Sequence, residues 1–164
     1  MDENHLLNLN VRKTIRCLQG ILEPNELEKI DKALAANVRQ FLTLANSHLR
    51  FARRAEGPAS WRQRVSRAYY ACYAASRAVR LGVFARYSQE TDDHKRAGDL
   101  PKDFPDLERW QDVLIKLRGD RNLADYDHTA TQRTLENTSA DYVRMTGEFL
   151  AASRDYLRAK GKLP

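Results

Sequence analysis

The stretch WRQRVSRAYYACYAASRAVRL, residues 61–81, decides the fold of this chain. Its apolar positions step by three or four residues, which is the spacing of one face of an α-helix. Most residues on that face are small, so another helix can approach closely. We therefore predict a helix that ends near Leu81, with Ser60 as N-cap and Gln63 as its capping-box partner. The apolar face comprises Trp61, Val65, Ala68, Cys72, Ala75 and Val79.

Four other segments carry the same helical spacing. We expect helices over residues 4–22, over residues 24–55, from about Asp106 onward, and over residues 131–160. Pro24 suits a helix start, Gly57 and Pro58 a helix end, and Thr129 with Gln132 a second capping box. Residues 84–104 are polar and broken by glycine and proline, which predicts a long loop with at most a short turn.

No strand-like alternation, phosphate loop or internal repeat interrupts this pattern. Amphipathic helices without strands must pack on one another. The prediction is an all-α, up-and-down bundle of four to five helices. Residues 1–23 would form an accessory helix, and residues 24–164 would form the bundle.

The bulk composition narrows the function classes. The 164 residues carry a net charge of +6 and a sequence pI of about 9.5, which suits a polyanion partner such as nucleic acid, although on charge alone a solvated charged surface is the more common explanation. No apolar run approaches the roughly 18 residues of a membrane span, and the N-terminus lacks the pattern of a signal peptide. The two cysteines, Cys17 and Cys72, have no metal-ligand spacing. We expect a cytoplasmic protein without cofactor or metal.

The segment RGDRNLADYDH, residues 118–128, interrupts the apolar face of the fourth predicted helix. The face steps through Leu107, Trp110, Leu114 and Leu117, and the next step is Arg121. An arginine on a core-facing side requires a partner or a cleft. On an unbroken helix, His128 would share its face two turns later.

Arginine and histidine together suit metal-independent RNA cleavage. A histidine near neutral pH can take the proton of a ribose hydroxyl that attacks the neighbouring phosphate. An arginine can hold the charge that develops on that phosphate, and Asn122 can orient either group. A purely structural alternative stays open: Arg121 would pair with Asp125, Asp120 with Arg118, and His128 would lie exposed in a loop.

Two motifs resemble those of HEPN domains, the higher-eukaryote and prokaryote nucleotide-binding superfamily. The stretch SRAYYACYAASRAVRL (66–81) is similar to the second-helix signature of the family. RGDRNLADYDH resembles its closing motif, in which an Arg precedes a His by a few residues. Asp93, His94 and Lys95 also look like a family feature. The resemblance covers roughly residues 33–160.

The resemblance implies a homodimer in which two Arg–His motifs meet across a cleft and cut RNA without a metal, in toxin or defence roles. Arg121 and His128 match the catalytic positions, and Asn122 matches the polar residue beside the Arg. We expect Arg118, Asp125 and Tyr126 to bind beside them. Some family members have an antitoxin partner. Others are non-catalytic adaptors for a protein, a nucleotide or RNA, which is the alternative here.

The other candidate functional residues each have an ordinary structural explanation as well. Tyr69, Tyr70 and Tyr73 can stack on bases, but such a cluster more often forms core or a dimer interface. Asp92, Asp93 and His94 are a weak metal signal. His5 and His48 have no evident chemical partners. Four arginines on the third helix can line an RNA groove or form a solvated face: Arg64, Arg67, Arg77 and Arg80.

Overall fold

The computed structural model describes residues 21–85 and 91–163. This part of the chain is a bundle of four long helices and contains no strand, so the all-α prediction is confirmed. The helices are α1 (Pro24–Arg54), α2 (Trp61–Phe84), α3 (Leu107–Tyr126) and α4 (Ser139–Ala159). Short 3-10 turns cover Pro58–Ser60, Thr91–Arg96 and Gln132–Thr134. The accessory helix predicted over residues 4–22 lies almost wholly outside the described residues.

Helix α2 is the centre of the bundle and packs against the other three helices. Its predicted apolar face is confirmed, since Val65, Ala68, Cys72, Ala75 and Val79 are all buried. The helix continues one turn past the predicted end at Leu81. Gly82 lies in that turn, where a Cβ would come within 2.7 Å of the Leu157 side chain, so a glycine permits the close approach of α4.

The end of α1 and the start of α2 are fixed by local signals, one of which differs from prediction. Helix α1 ends at Arg54 with Ala55 as C-cap, and Gly57, with a φ of +85°, turns the chain just after it, close to the predicted end. The predicted capping role of Ser60 is wrong, because its hydroxyl donates to the Gly57 carbonyl at 2.7 Å instead of accepting from the helix. At the start of α1, the Glu23 backbone N–H donates to Glu26, and Pro24 occupies the first turn.

The last helix begins later than predicted, at Ser139 instead of near residue 131. The Thr138 hydroxyl accepts from the Asp141 backbone N–H at 3.1 Å and caps the helix there. Before it, the Glu136 backbone N–H donates to the Asp120 carboxylate at 2.8 Å, so it is withdrawn from helical hydrogen bonding. The predicted box of Thr129 and Gln132 is replaced by one between Thr131 and Thr134 in a single turn. No helix in residues 21–85 or 91–163 is long and apolar enough to cross a membrane.

Candidate functional site

Asp120, not Arg121, is the buried polar residue on the core-facing side of α3. Its side chain is 2% exposed and accepts the Tyr142 hydroxyl at 2.6 Å as well as the Glu136 backbone N–H. The predicted partnership of Asp120 with Arg118 is therefore wrong. A buried carboxylate requires such donors, so this contact ties α3 to the start of α4.

Arg121 lies at the edge of the core with a side chain that is 15% exposed. Its Nε forms an ion pair with Asp125 Oδ2 at 2.7 Å, as the structural alternative predicted. Its two terminal nitrogens donate to the Tyr70 hydroxyl on α2 and to Asn122 Oδ1, the latter at 3.2 Å. We call Arg121, Asp125, Tyr70 and Asn122 the Arg121 centre.

The Arg121 centre holds its cation among aromatic rings. The guanidinium carbon lies 5.3 Å from the ring centre of Tyr70, 5.1 Å from that of Tyr126 and 5.7 Å from that of Tyr69. Burial acts to lower the pKa of Arg121, but the Asp125 carboxylate and the Tyr70 hydroxyl outweigh it, so the pKa lies above its ordinary value. The site therefore presents a fixed positive charge at every physiological pH.

His128 lies apart from this centre within one chain. Helix α3 ends at Tyr126, and His128 is exposed in the loop that follows. Within the described part of the chain, neither a hydrogen bond nor a ring contact joins His128 to Arg121. Arg118 is partly exposed, and no described contact links it to the Arg121 centre either. The structure therefore brings together Arg121, Asn122, Asp125 and Tyr126 of the predicted site residues.

The loop that carries His128 is held by an arginine that sequence reasoning missed. Arg62, in the first turn of α2, donates to the backbone carbonyls of Leu123, Ala124, Asp127 and Ala130, at 3.3, 2.8, 2.8 and 2.7 Å. These carbonyls end α3 and form the loop, where helix geometry leaves acceptors without partners. Asp127 Oδ1 also accepts the backbone N–H groups of Thr129 and Ala130. The backbone around His128 is thus fixed although its side chain is exposed.

The tyrosines of α2 form part of the core and also hold a histidine from the long loop. Tyr69 and Tyr73 are buried, which confirms the core interpretation for both. The Tyr69 hydroxyl hydrogen-bonds His94 Nδ1 at 2.9 Å, and the His94 ring stacks on Tyr73 at 4.2 Å. Among the residues that the structure describes, no cluster of three or more histidine, cysteine or acidic side chains can hold a metal ion.

His48 on α1 is the second residue that sequence reasoning missed. Arg67 on α2 donates to His48 Nδ1 at 3.3 Å, and the imidazole ring lies 5.7 Å from that of Tyr70. Burial, with the Arg67 charge as a second cause, lowers the pKa of His48 below its ordinary 6.5. Its position beside the apolar face at Ala45, Leu49 and Ala52 was a signal that it borders α2, but nothing local identified Arg67 as its partner.

The arginines of α2 are not a solvated face. Arg80 is buried, and the guanidinium of Arg77 lies 4.8 Å from the Phe41 ring centre and 5.2 Å from that of Tyr73. Arg67 lies in the same way over Phe51, at 4.7 Å. Arg67 and Arg77 therefore pack against aromatic residues of α1 and α2 at the distances of cation–π contacts.

Comparison with known proteins adds no relative to this picture. No family model, curated protein or solved structure matches the chain. The relation to HEPN domains therefore stays a prediction that depends on the two motifs and on the all-helical fold.

Proposed function

We propose that this protein is a metal-independent, HEPN-type ribonuclease that acts as a homodimer. The observation that supports it is the Arg121 centre, where a permanent cation is fixed between an acidic partner and aromatic rings near the surface. A guanidinium fixed in this way is suited to hold a phosphodiester and to stabilise the charge of its transition state. Asn122 is exposed beside it and can orient the phosphate.

In this proposal His128 completes the site from the second protomer. It is exposed on a loop whose backbone is fixed, so it is accessible to another chain. The imidazole would take the proton of the ribose 2′-hydroxyl, whose oxygen attacks the adjacent phosphorus while the P–O5′ bond breaks. The products are a 2′,3′-cyclic phosphate and a 5′-hydroxyl, and the proton taken by the base returns to the leaving oxygen.

A cleavage assay tests this proposal. Purified full-length protein is incubated in EDTA with a mixed single-stranded RNA, beside His128→Ala and Arg121→Lys variants. We expect cleavage with cyclic-phosphate ends by the wild type, and loss of cleavage in His128→Ala. Arg121→Lys keeps the charge but not the planar fork, so we expect strongly reduced cleavage. Arg144→Gln on α4 is the matched control, because Arg144 is exposed and pairs only with neighbours on its own helix.

A non-catalytic binding module is the second candidate, and one observation favours it. The charge of Arg121 is already paired with Asp125, and His128 does not contact it. A module of this kind would bind RNA or a partner protein without cutting. Absence of cleavage by the wild type would transfer the assignment to this candidate, whereas full cleavage by His128→Ala would refute the catalytic role proposed for His128.

A further inference from the structure

Six side chains form a continuous series of contacts across three helices. Arg67 lies over Phe51 and donates to His48, and the His48 ring lies beside Tyr70. Tyr70 accepts a hydrogen bond from Arg121, whose guanidinium also lies over Tyr126 at 5.1 Å. In order, the series is Phe51, Arg67, His48, Tyr70, Arg121 and Tyr126, and we call it the Arg–aromatic strip.

The strip reaches the surface at both of its ends. Phe51 is 49% exposed and Tyr126 is 73% exposed. The side chains between them are partly exposed, so the strip lies along the surface and not through the core.

Along the strip, aromatic rings are interspersed with side chains that can donate hydrogen bonds. Because a guanidinium can only donate, His48 Nδ1 accepts from Arg67, and the imidazole hydrogen lies on Nε2. His48 is thus a donor, as are Arg67 and Arg121. Asp125 is the carboxylate paired with the strip, while Arg54, three residues after Phe51 on α1, adds an exposed positive charge on the same side of the helix.

We infer that the Arg–aromatic strip binds single-stranded RNA and leads it to the Arg121 centre. Bases stack on exposed aromatic rings irrespective of their identity, and arginines between the rings contact the phosphates. Along the strip, arginines lie next to aromatic rings, so a single strand can place bases against the rings and phosphates against the guanidinium groups. This inference rests on the proposed function for the choice of RNA, but it concerns binding by residues other than His128 and can be tested without cleavage.

The test measures binding in a His128→Ala background in EDTA, so that loss of cleavage and loss of binding are separate results. The probe is a fluorescently labelled oligouridylate of about 12 nucleotides, read by anisotropy at several salt concentrations. We expect Phe51→Ala and Tyr126→Ala each to weaken binding about tenfold. We expect Arg67→Gln to reduce the magnitude of the log–log salt slope by about 0.7, the contribution of one phosphate contact to a single strand.

Two control variants match these changes away from the strip. Ile115→Ala removes an apolar side chain that is 69% exposed on α3, and Arg144→Gln removes one exposed charge from α4. Phe51→Leu keeps the apolar bulk without the aromatic face, so it separates stacking from a general loss of structure. Circular dichroism verifies the fold of each variant.

Three results would overturn the inference. One is the absence of RNA binding by the His128→Ala protein, and another is equal binding by strip and control variants. The third is a change of sedimentation from dimer to monomer in Phe51→Ala or Tyr126→Ala with RNA affinity unchanged, which would make the strip an interface between two copies of the chain.

Discussion

Replacement of Arg62 by methionine is the most direct test of how the His128 loop is held. The guanidinium of Arg62 bonds four backbone carbonyls, three of them at 2.7–2.8 Å. It also lies over the Trp61 ring at 4.6 Å. Methionine keeps much of the length and apolar volume of the side chain but carries neither a charge nor a hydrogen-bond donor, so the substitution removes the polar contacts and leaves most of the packing.

The magnitude follows from the number and type of these bonds. A hydrogen bond to a charged group contributes about 1.5–3 kcal/mol to stability. Arg62 is only partly buried, and water will replace some of the lost donors, so the lower end of that range applies. Three good bonds then give a loss of about 4.5 kcal/mol, a large fraction of the stability of a typical domain.

Urea denaturation followed by circular dichroism measures this loss. With an m-value of roughly 2 kcal/mol per molar urea, the midpoint for Arg62→Met should fall by about 2 M. Arg144→Met is the control, because an exposed ion pair contributes little and its midpoint should stay within about 0.3 M of the wild type. Native-state hydrogen exchange should also become faster at the amides of Thr129 and Ala130. A midpoint for Arg62→Met that matches the control would refute the role assigned to Arg62.

Three further predictions concern single side chains. Cys72 is buried, and its burial raises the pKa of the thiol to about 12. In a Cys17→Ala background, Cys72 should therefore resist alkylation until urea unfolds the protein. Rapid labelling of the folded protein would contradict this. Gly119→Ala should raise the free energy of unfolding by about 0.5–1 kcal/mol, because a Cβ at this exposed helical position meets nothing within 4 Å; a lower urea midpoint would count against it. The folded-state pKa of His48 lies below 6.5, so the unfolded chain binds its proton more readily, and stability falls as pH drops below about 6.5. This fall of stability at low pH should be smaller in His48→Gln. In Arg67→Gln, NMR titration should show a higher pKa for His48. An unchanged pKa would exclude the contact between His48 and Arg67.

The helices could be predicted well because their signals are local. Three- and four-residue spacing along α2 identified the face that is buried, from Val65 through Cys72 to Val79. The positions of the helix ends were predicted less accurately. The start of α4 was placed several residues early because Asp120, distant in sequence, captures the Glu136 backbone N–H, and no local pattern indicates that contact.

The candidate site divides in the same way. The pairing of Arg121 with Asp125 was predictable, since residues four apart on a helix are neighbours. The contacts of Arg121 with Tyr70, and of His48 with Arg67, join different helices and depend on how α1, α2 and α3 are rotated against one another.

The sequence by itself determined that the chain is helical, which faces are apolar, and which short segment carries polar groups at the end of α3. Only the tertiary structure decided that Asp120 is buried instead of Arg121, that Arg62 fixes the His128 loop, and that His48 and Arg67 join an aromatic series across three helices. The physical reason is the separation along the sequence of the residues that interact. Helical periodicity is a property of residues within a few turns of one another, whereas partners for charged groups at a helix edge come from neighbouring helices, whose positions are fixed only when the whole core packs.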